Sequence, residues 1–238
     1  MTRQFEDALA ACDRSIALGP DPTWQAWPHL TKAFNYWCWK GGTPEARAAL
    51  EFVPVDHEFS AWAWFWQELY EGKNRHALAR LDAIPGGWIR NKIAARPTPL
   101  LAAIVHDILG RSDLAREAHE VALAVLEAEL RTSPDDPLLL SSVGIAYAGL
   151  GRRDDALRAG RRAVELLPLS QDAFYGIPQV VDLAFIHTLL DEDDDALDQL
   201  EILRRRPSWI SPGFLEADPR WNRLREHPRF VELLDTES

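Results

Sequence analysis

Apolar residues recur at steps of three and four along most of this chain, and short polar turns interrupt them at regular points. The clearest stretch carries Leu140, Val143, Gly144 and Tyr147, then the turn Leu150-Gly151-Arg152-Arg153-Asp154-Asp155, then Ala156, Gly160 and Ala163, with Pro168 closing it. That pattern predicts two helices joined as a hairpin, with Gly and Ala at the seam so that the two backbones approach closely. The same turn occurs as Leu109-Gly110-Arg111-Ser112-Asp113-Leu114-Ala115 and as Leu190-Asp191-Glu192-Asp193-Asp194-Asp195-Ala196, its alanine 41 residues before and 40 residues after Ala156. Upstream, Gly72-Lys73-Asn74-Arg75-His76-Ala77 and Gly41-Gly42-Thr43-Pro44-Glu45-Ala46 fill the same slot, with alanine steps of 38 and 31. Five matching turns predict about five degenerate hairpins over residues 23–207. A single hairpin cannot bury its own apolar face, so neighbours must stack and the stack must be capped. The predicted fold class is all-α: an α-α superhelix, one continuous solenoid of helical hairpins with short capping helices at the carboxyl end.

The two ends read differently. At the front, Phe5, Ala8, Leu9, Cys12 and Ile16, closed by Pro20-Asp21-Pro22, predict the second helix of an incomplete first hairpin over residues 1–22. At the back, residues 208–238 hold Ser211-Pro212, Asp218-Pro219 and His227-Pro228, each a cap residue followed by proline in a first helical turn. The expected short helices bring Trp221, Leu224, Phe230, Leu233 and Leu234 over the last open apolar face. A front face left in water costs about 25 cal/mol per Å2 of apolar surface, a large share of a marginal stability. The asymmetry therefore predicts a carboxyl-terminal portion of a longer protein, whose front meets a preceding helix or domain. In isolation the face is covered by self-association as a homodimer through the front helix, or by that helix folding over the next hairpin.

Composition narrows the function classes. A formal charge of -11 argues against a nucleic-acid partner, since phosphate binding needs clustered Lys and Arg. The two cysteines, Cys12 and Cys38, have no ligand spacing and fit a reducing compartment as small core residues. No apolar run is long enough to span a bilayer and the front is no secretory signal, so no membrane partner and a cytoplasmic location are expected. The run Asp191 to Asp195 lacks the glycine and the twelfth-position glutamate of a calcium loop, and it reads as a solvated turn and helix start. Seven histidines form no HExxH motif, and there is no GxSxG, GxxxxGK[ST] or GxGxxG. His106 and His187 fall in the slot of Tyr147 and read as packed or hydrogen-bonded side chains; Gly86-Gly87 reads as a loop. No catalytic residue, no cofactor and no metal site are expected, and the chain is not read as an enzyme.

Leu140, Val143, Gly144, Tyr147, Ala156, Gly160, Ala163 and Pro168 resemble the tetratricopeptide pattern, with Leu140 for its first Trp and Gly160 for its usual aromatic. The other units depart from it, with Trp37, Glu68, His106 and His187 in the Tyr147 slot and uneven lengths. The stretch Asp218-Pro219-Arg220-Trp221 through Leu224-Arg225 to His227-Pro228-Arg229-Phe230 resembles the closing segment of tetratricopeptide regions in bacterial signalling proteins. In those proteins the region follows a serine/threonine kinase or adenylate cyclase domain. The resemblance implies a concave groove lined by first helices. With Ala77 as the reference position, its five lining positions are Phe59, Trp62, Trp66, Leu69 and Tyr70, of which Phe59, Trp62, Trp66 and Tyr70 form one stripe, with Thr31, Asn35, Cys38 and Trp39 in the unit before and Ile104 in the unit after. Ten tryptophans, most of them between Trp24 and Trp66, add weight to this stripe, although packing on the neighbouring hairpin is its competing reading. The implied function is a protein-protein interaction scaffold that holds a peptide or a neighbouring domain. The alternative is a sensor of a small apolar ligand with a Trp-lined pocket. The Lys and Asn clamp that grips acidic carboxyl tails is incomplete here, since Asn35 has only Thr31, Trp62, Trp66, Leu100 and Ile104 beside it, so tight binding of such tails is not expected.

Overall fold

The computed structural model describes residues 4–19, 22–206 and 208–235, the side chains of Pro22 and Thr23 excepted. The break expected at Pro20-Asp21-Pro22 has its first two positions outside the described residues. The chain is predominantly helical and gathers into two compact units. Unit one takes the chain up to Pro85, the segment Trp209–Pro219 and the chain from Leu234; unit two takes Gly86–Ser208 and Arg220–Leu233.

Unit one contains α1 (Phe5–Leu18), α2 (Pro22–Lys40), α3 (Pro44–Leu50), α4 (Ser60–Tyr70) and α5 (Asn74–Leu81), and later α12 (Pro212–Ala217). Neighbours pack in sequence, α1 on α2, α2 on α3 and α4 on α5, and α12 lies on α2. The front helix does not leave its apolar face open. Phe5, Leu9 and Cys12 are buried, Phe5 stacks on Trp39 with centroids 6.1 Å apart, and Lys32 Nζ donates to Asp13 at 2.5 Å. Within the chain, that face is covered by the packing of α1 on α2.

Unit two begins with a small ribbon that corrects the purely helical expectation. Strand β1 (Trp88–Arg90) pairs antiparallel with β2 (Ala95–Pro97), in register Trp88 to Pro97. Gly86 and Gly87, at φ 66 and 68, turn the chain into it. Asn91 Oδ1 then accepts from the amides of Ile93 and Ala94, which closes the bend between the strands. Helices α6 (Thr98–Ile108), α7 (Ser112–Leu130), α8 (Pro137–Gly149), α9 (Arg153–Leu166), α10 (Ile177–Leu189) and α11 (Asp193–Arg204) follow, packing as α6 on α7, α8 on α9 and α10 on α11. At the α8–α9 seam a Cβ on Gly144 would lie 3.2 Å from Ala156 O and from Gly160 N, so a side chain there would require the two backbones to move apart by a few tenths of an ångström. The tail adds a 3-10 turn (Pro219–Leu224) and α13 (Pro228–Asp235). Trp221, Leu224, Phe230 and Leu233 are buried, and Trp221 meets Phe185 of α10 edge-on at 6.2 Å.

The five polar turns share one backbone signature. Gly41, Gly72, Gly110 and Gly151 take φ between 64 and 79, and Asp191 at φ 63 is the non-glycine residue in the same slot. Ala46, Ala77, Ala115, Ala156 and Ala196 are each buried one turn into the following helix. Among the described residues no helix is long and apolar enough to cross a membrane.

Candidate functional site

Unit one is organised around aromatic rings that touch one after another. Trp27 meets Phe59 at 5.2 Å, Phe59 meets Trp62 at 6.3 Å, Trp62 meets Trp37 at 6.2 Å, and Trp37 meets Tyr70 at 5.9 Å. Trp66 stacks on Tyr70 at 5.6 Å. Phe59, Trp62, Trp66 and Tyr70 come together because they follow one another at helical spacing from the amino-terminal cap of α4 to its last residue.

The row of rings does not end at an open groove. Tyr70 packs edge-on against Phe214 at 6.0 Å, Phe214 against Trp209 at 5.3 Å, and Trp209 against Phe34 of α2 at 5.6 Å. The chain's own segment Trp209–Ala217 therefore lies along α2 and the end of α4. Trp209, Ile210, Ser211, Phe214 and Leu215 are buried there. Ser211 does two things at once. Its hydroxyl donates to Cys38 O at the end of α2, and its oxygen accepts from Phe214 N at 3.0 Å, capping α12. Backbones meet closely, since a Cβ on Gly213 would collide with Trp39 O and one on Gly41 with the Ala217 side chain.

A charged network on the other residues of α4 and on its carboxyl-terminal cap joins the row at Trp37. Trp37 Nε1 donates to Gln67 Oε1 at 2.6 Å, and Gln67 Nε2 donates to Glu71 Oε1 at 2.6 Å and to Thr43 O at 3.2 Å. Arg47 grips Glu71 with Nε at 2.8 Å and a terminal nitrogen at 2.5 Å, and Lys73 stands 2.8 Å away. Burial works to raise the Glu71 carboxyl, but the hydrogen bonds from Arg47, Lys73 and Gln67 outweigh it and hold it at about 2. Arg80 bonds the buried Glu68, and the Arg47 and Arg80 guanidinium groups both lie against the Trp64 ring, at 4.9 and 5.2 Å from its centroid.

The remaining expected groove residues are dispersed. Trp39 is half-buried against Phe5. Thr31 is exposed, and Asn35 donates back to Thr31 O at 2.8 Å within its own helix. Ile104 belongs to unit two, fully buried in α6. Beyond the expected lining, the row takes in Trp27 and Trp37, which the sequence marked only as part of its tryptophan load and, for Trp37, as an occupant of the Tyr147 slot, and Phe34, Trp209 and Phe214, which it did not single out. Ser211-Pro212 marked a helix start in the sequence, but nothing local marked where that helix lands.

In unit two the slot of Tyr147 is occupied by packed polar groups. Tyr147 donates to Glu127 Oε1 at 2.8 Å, and His187 Nδ1 lies 2.6 Å from Glu192 Oε2. His106 is held below its ordinary pKa by burial and then by the nearby Arg111 charge. The acidic run binds the tail: Arg223 pairs with Asp191 and Asp193, and Arg229 with Asp194, Asp198 and Glu201. His187, Glu192 and Asp195 each offer a donor atom within 4.8 Å of the others, and Glu192 is also bound by Arg153 at 2.5 Å. No protein-family model matches the chain, and no curated protein matches it.

Proposed function

We propose that the chain is a protein-interaction scaffold of the tetratricopeptide solenoid type, working by holding a segment and not by catalysing a reaction, as the interaction part of a bacterial signalling protein. The observation that carries this reading is the seating of Trp209–Ala217 on the aromatic row of unit one. It defines the ligand chemistry: two aromatics five positions apart, flanking a Ser-Pro helix start whose hydroxyl reaches the Cys38 carbonyl. A partner segment of that chemistry competes with the chain's own, which has the advantage of an intramolecular ligand.

The test uses the full-length double variant Trp209→Ala/Phe214→Ala and a labelled peptide copying residues 208–217. Anisotropy is expected to show saturable binding to the variant and binding at least about tenfold weaker to the unsubstituted chain, whose groove is filled. Added peptide should raise the melting temperature of the variant. A variant that keeps its helical circular dichroism yet neither binds the peptide nor gains stability from it would refute the proposal.

A further inference from the structure

We propose that the exposed face of unit one that adjoins the aromatic row at Trp27, made by Trp24, Trp27, Phe52 and Val55, docks a basic amphipathic helix of a partner protein. These side chains are exposed by 71, 46, 67 and 89 %, and Leu18 nearby in the chain by 83 %. Trp24, Phe52, Val55 and Leu18 are the large apolar side chains exposed by more than half among the described residues; Leu114, Val121, Ile202 and Val231 lie, like Trp27, between 40 and 50 %. Trp24 and Trp27 stand one turn apart on α2. The loop after α3 is tied to that half of the helix at two points: Phe52 stacks on His29 at 4.8 Å, and His57 meets Trp27 at 5.5 Å. Helix and loop thus expose large apolar groups side by side, where an isolated surface apolar residue would need no account.

Charge selects the occupant. Glu51, Asp56 and Glu58 are exposed on the loop, and no Lys or Arg lies between positions 51 and 59. Arg47, just upstream, is engaged by Glu71. Carboxylates at the rim of an apolar face favour a partner with Lys or Arg flanking an apolar stripe. The two tryptophans at helical spacing form a ridge that fits the stripe of an amphipathic helix. A second copy, at -11, and an anionic bilayer are both repelled by the same carboxylates.

The probe is an amphipathic peptide of about fifteen residues, long enough to be helical when bound, with Leu on one face and Lys on the other, alongside its Glu-for-Lys counterpart. The full chain is compared with Trp24→Ser/Phe52→Ser and with Glu51→Gln/Asp56→Asn/Glu58→Gln, none of which touches the row from Phe59 to Phe214. Expected are saturable binding of the Lys peptide, at least about a tenfold loss in the first variant with helical content unchanged, and a flattened salt dependence in the second. Equal binding of the Lys peptide by the chain and the first variant would reduce the effect to bulk charge and overturn the proposal. So would equal binding of the Glu peptide. A dimer in sedimentation, or binding to phosphatidylcholine–phosphatidylglycerol vesicles, that is abolished by Trp24→Ser/Phe52→Ser would assign the face to another occupant and also overturn it.

Discussion

At Glu71 two effects oppose each other, and their balance is measurable. Burial favours the neutral acid, whereas Arg47, Lys73 and Gln67 favour the carboxylate and hold its pKa at about 2, below the ordinary 4.5. A folded-state pKa below the unfolded one gives stability that is complete above the unfolded value and is lost as pH falls towards 2. Glu71→Gln removes this contribution and leaves Arg47 without its bidentate partner. We expect it to cost roughly 1–3 kcal/mol at pH 7, with the difference from the parent chain shrinking as pH falls from about 5 to about 3. Urea unfolding at pH 7 and pH 3 checks this; a difference independent of pH would remove Glu71 from the account of acid stability. In the sequence Glu68 stands out only as the occupant of the Tyr147 slot, and Glu71, the residue that caps α4, by nothing at all. Their cations, Arg47 and Arg80, come from neighbouring helices, so no local spacing announces the pairs.

Among the elements, those set by local chemistry were legible and those set by distant contacts were not. The slot read from Gly41, Gly72, Gly110, Gly151 and Asp191 takes positive φ at every one of its positions, a requirement that glycine states by itself at four of them and that the alignment of the turns carries over to Asp191. Ser211-Pro212, Asp218-Pro219 and His227-Pro228 likewise start helical segments at Pro212, Pro219 and Pro228. The ribbon β1–β2 escaped because strands of three residues carry no periodicity. The seat of α12 escaped because Ser211 reaches a carbonyl 173 positions away. The acidic run was read as a turn and helix start, but the two arginines that bind it lie some thirty residues downstream. Arg223→Ala/Arg229→Ala should therefore loosen the tail from α11. Each exposed pair contributes little, but Arg229 serves three carboxylates, so about 1–2 kcal/mol is expected from the network. The loss should fade in high salt. A melting temperature that does not move at low salt would show that Trp221 and Phe230 hold the tail alone.

For the whole molecule, the path of the chain matters more than the list of its helices. The chain builds unit one, leaves it to build unit two, returns for Trp209–Pro219, and leaves again for Arg220–Leu233. Two adjoining stretches of the tail thus complete different cores, one through Trp209 and Phe214, the other through Trp221 and Phe230. Local unfolding follows such cooperative units more than sequence order. Trp209→Ala/Phe214→Ala should lower amide protection in α2 and α4, and Trp221→Ala/Phe230→Ala should lower it in α10 and α11. Deletion of two large buried rings costs on the order of several kcal/mol, enough to register by hydrogen exchange before global unfolding intervenes. If the first pair left α2 and α4 as protected as in the parent chain, Trp209–Ala217 would be a passenger on unit one. Seating the segment would then add no stability to the row, against the rise in melting temperature that added peptide is expected to give the same variant.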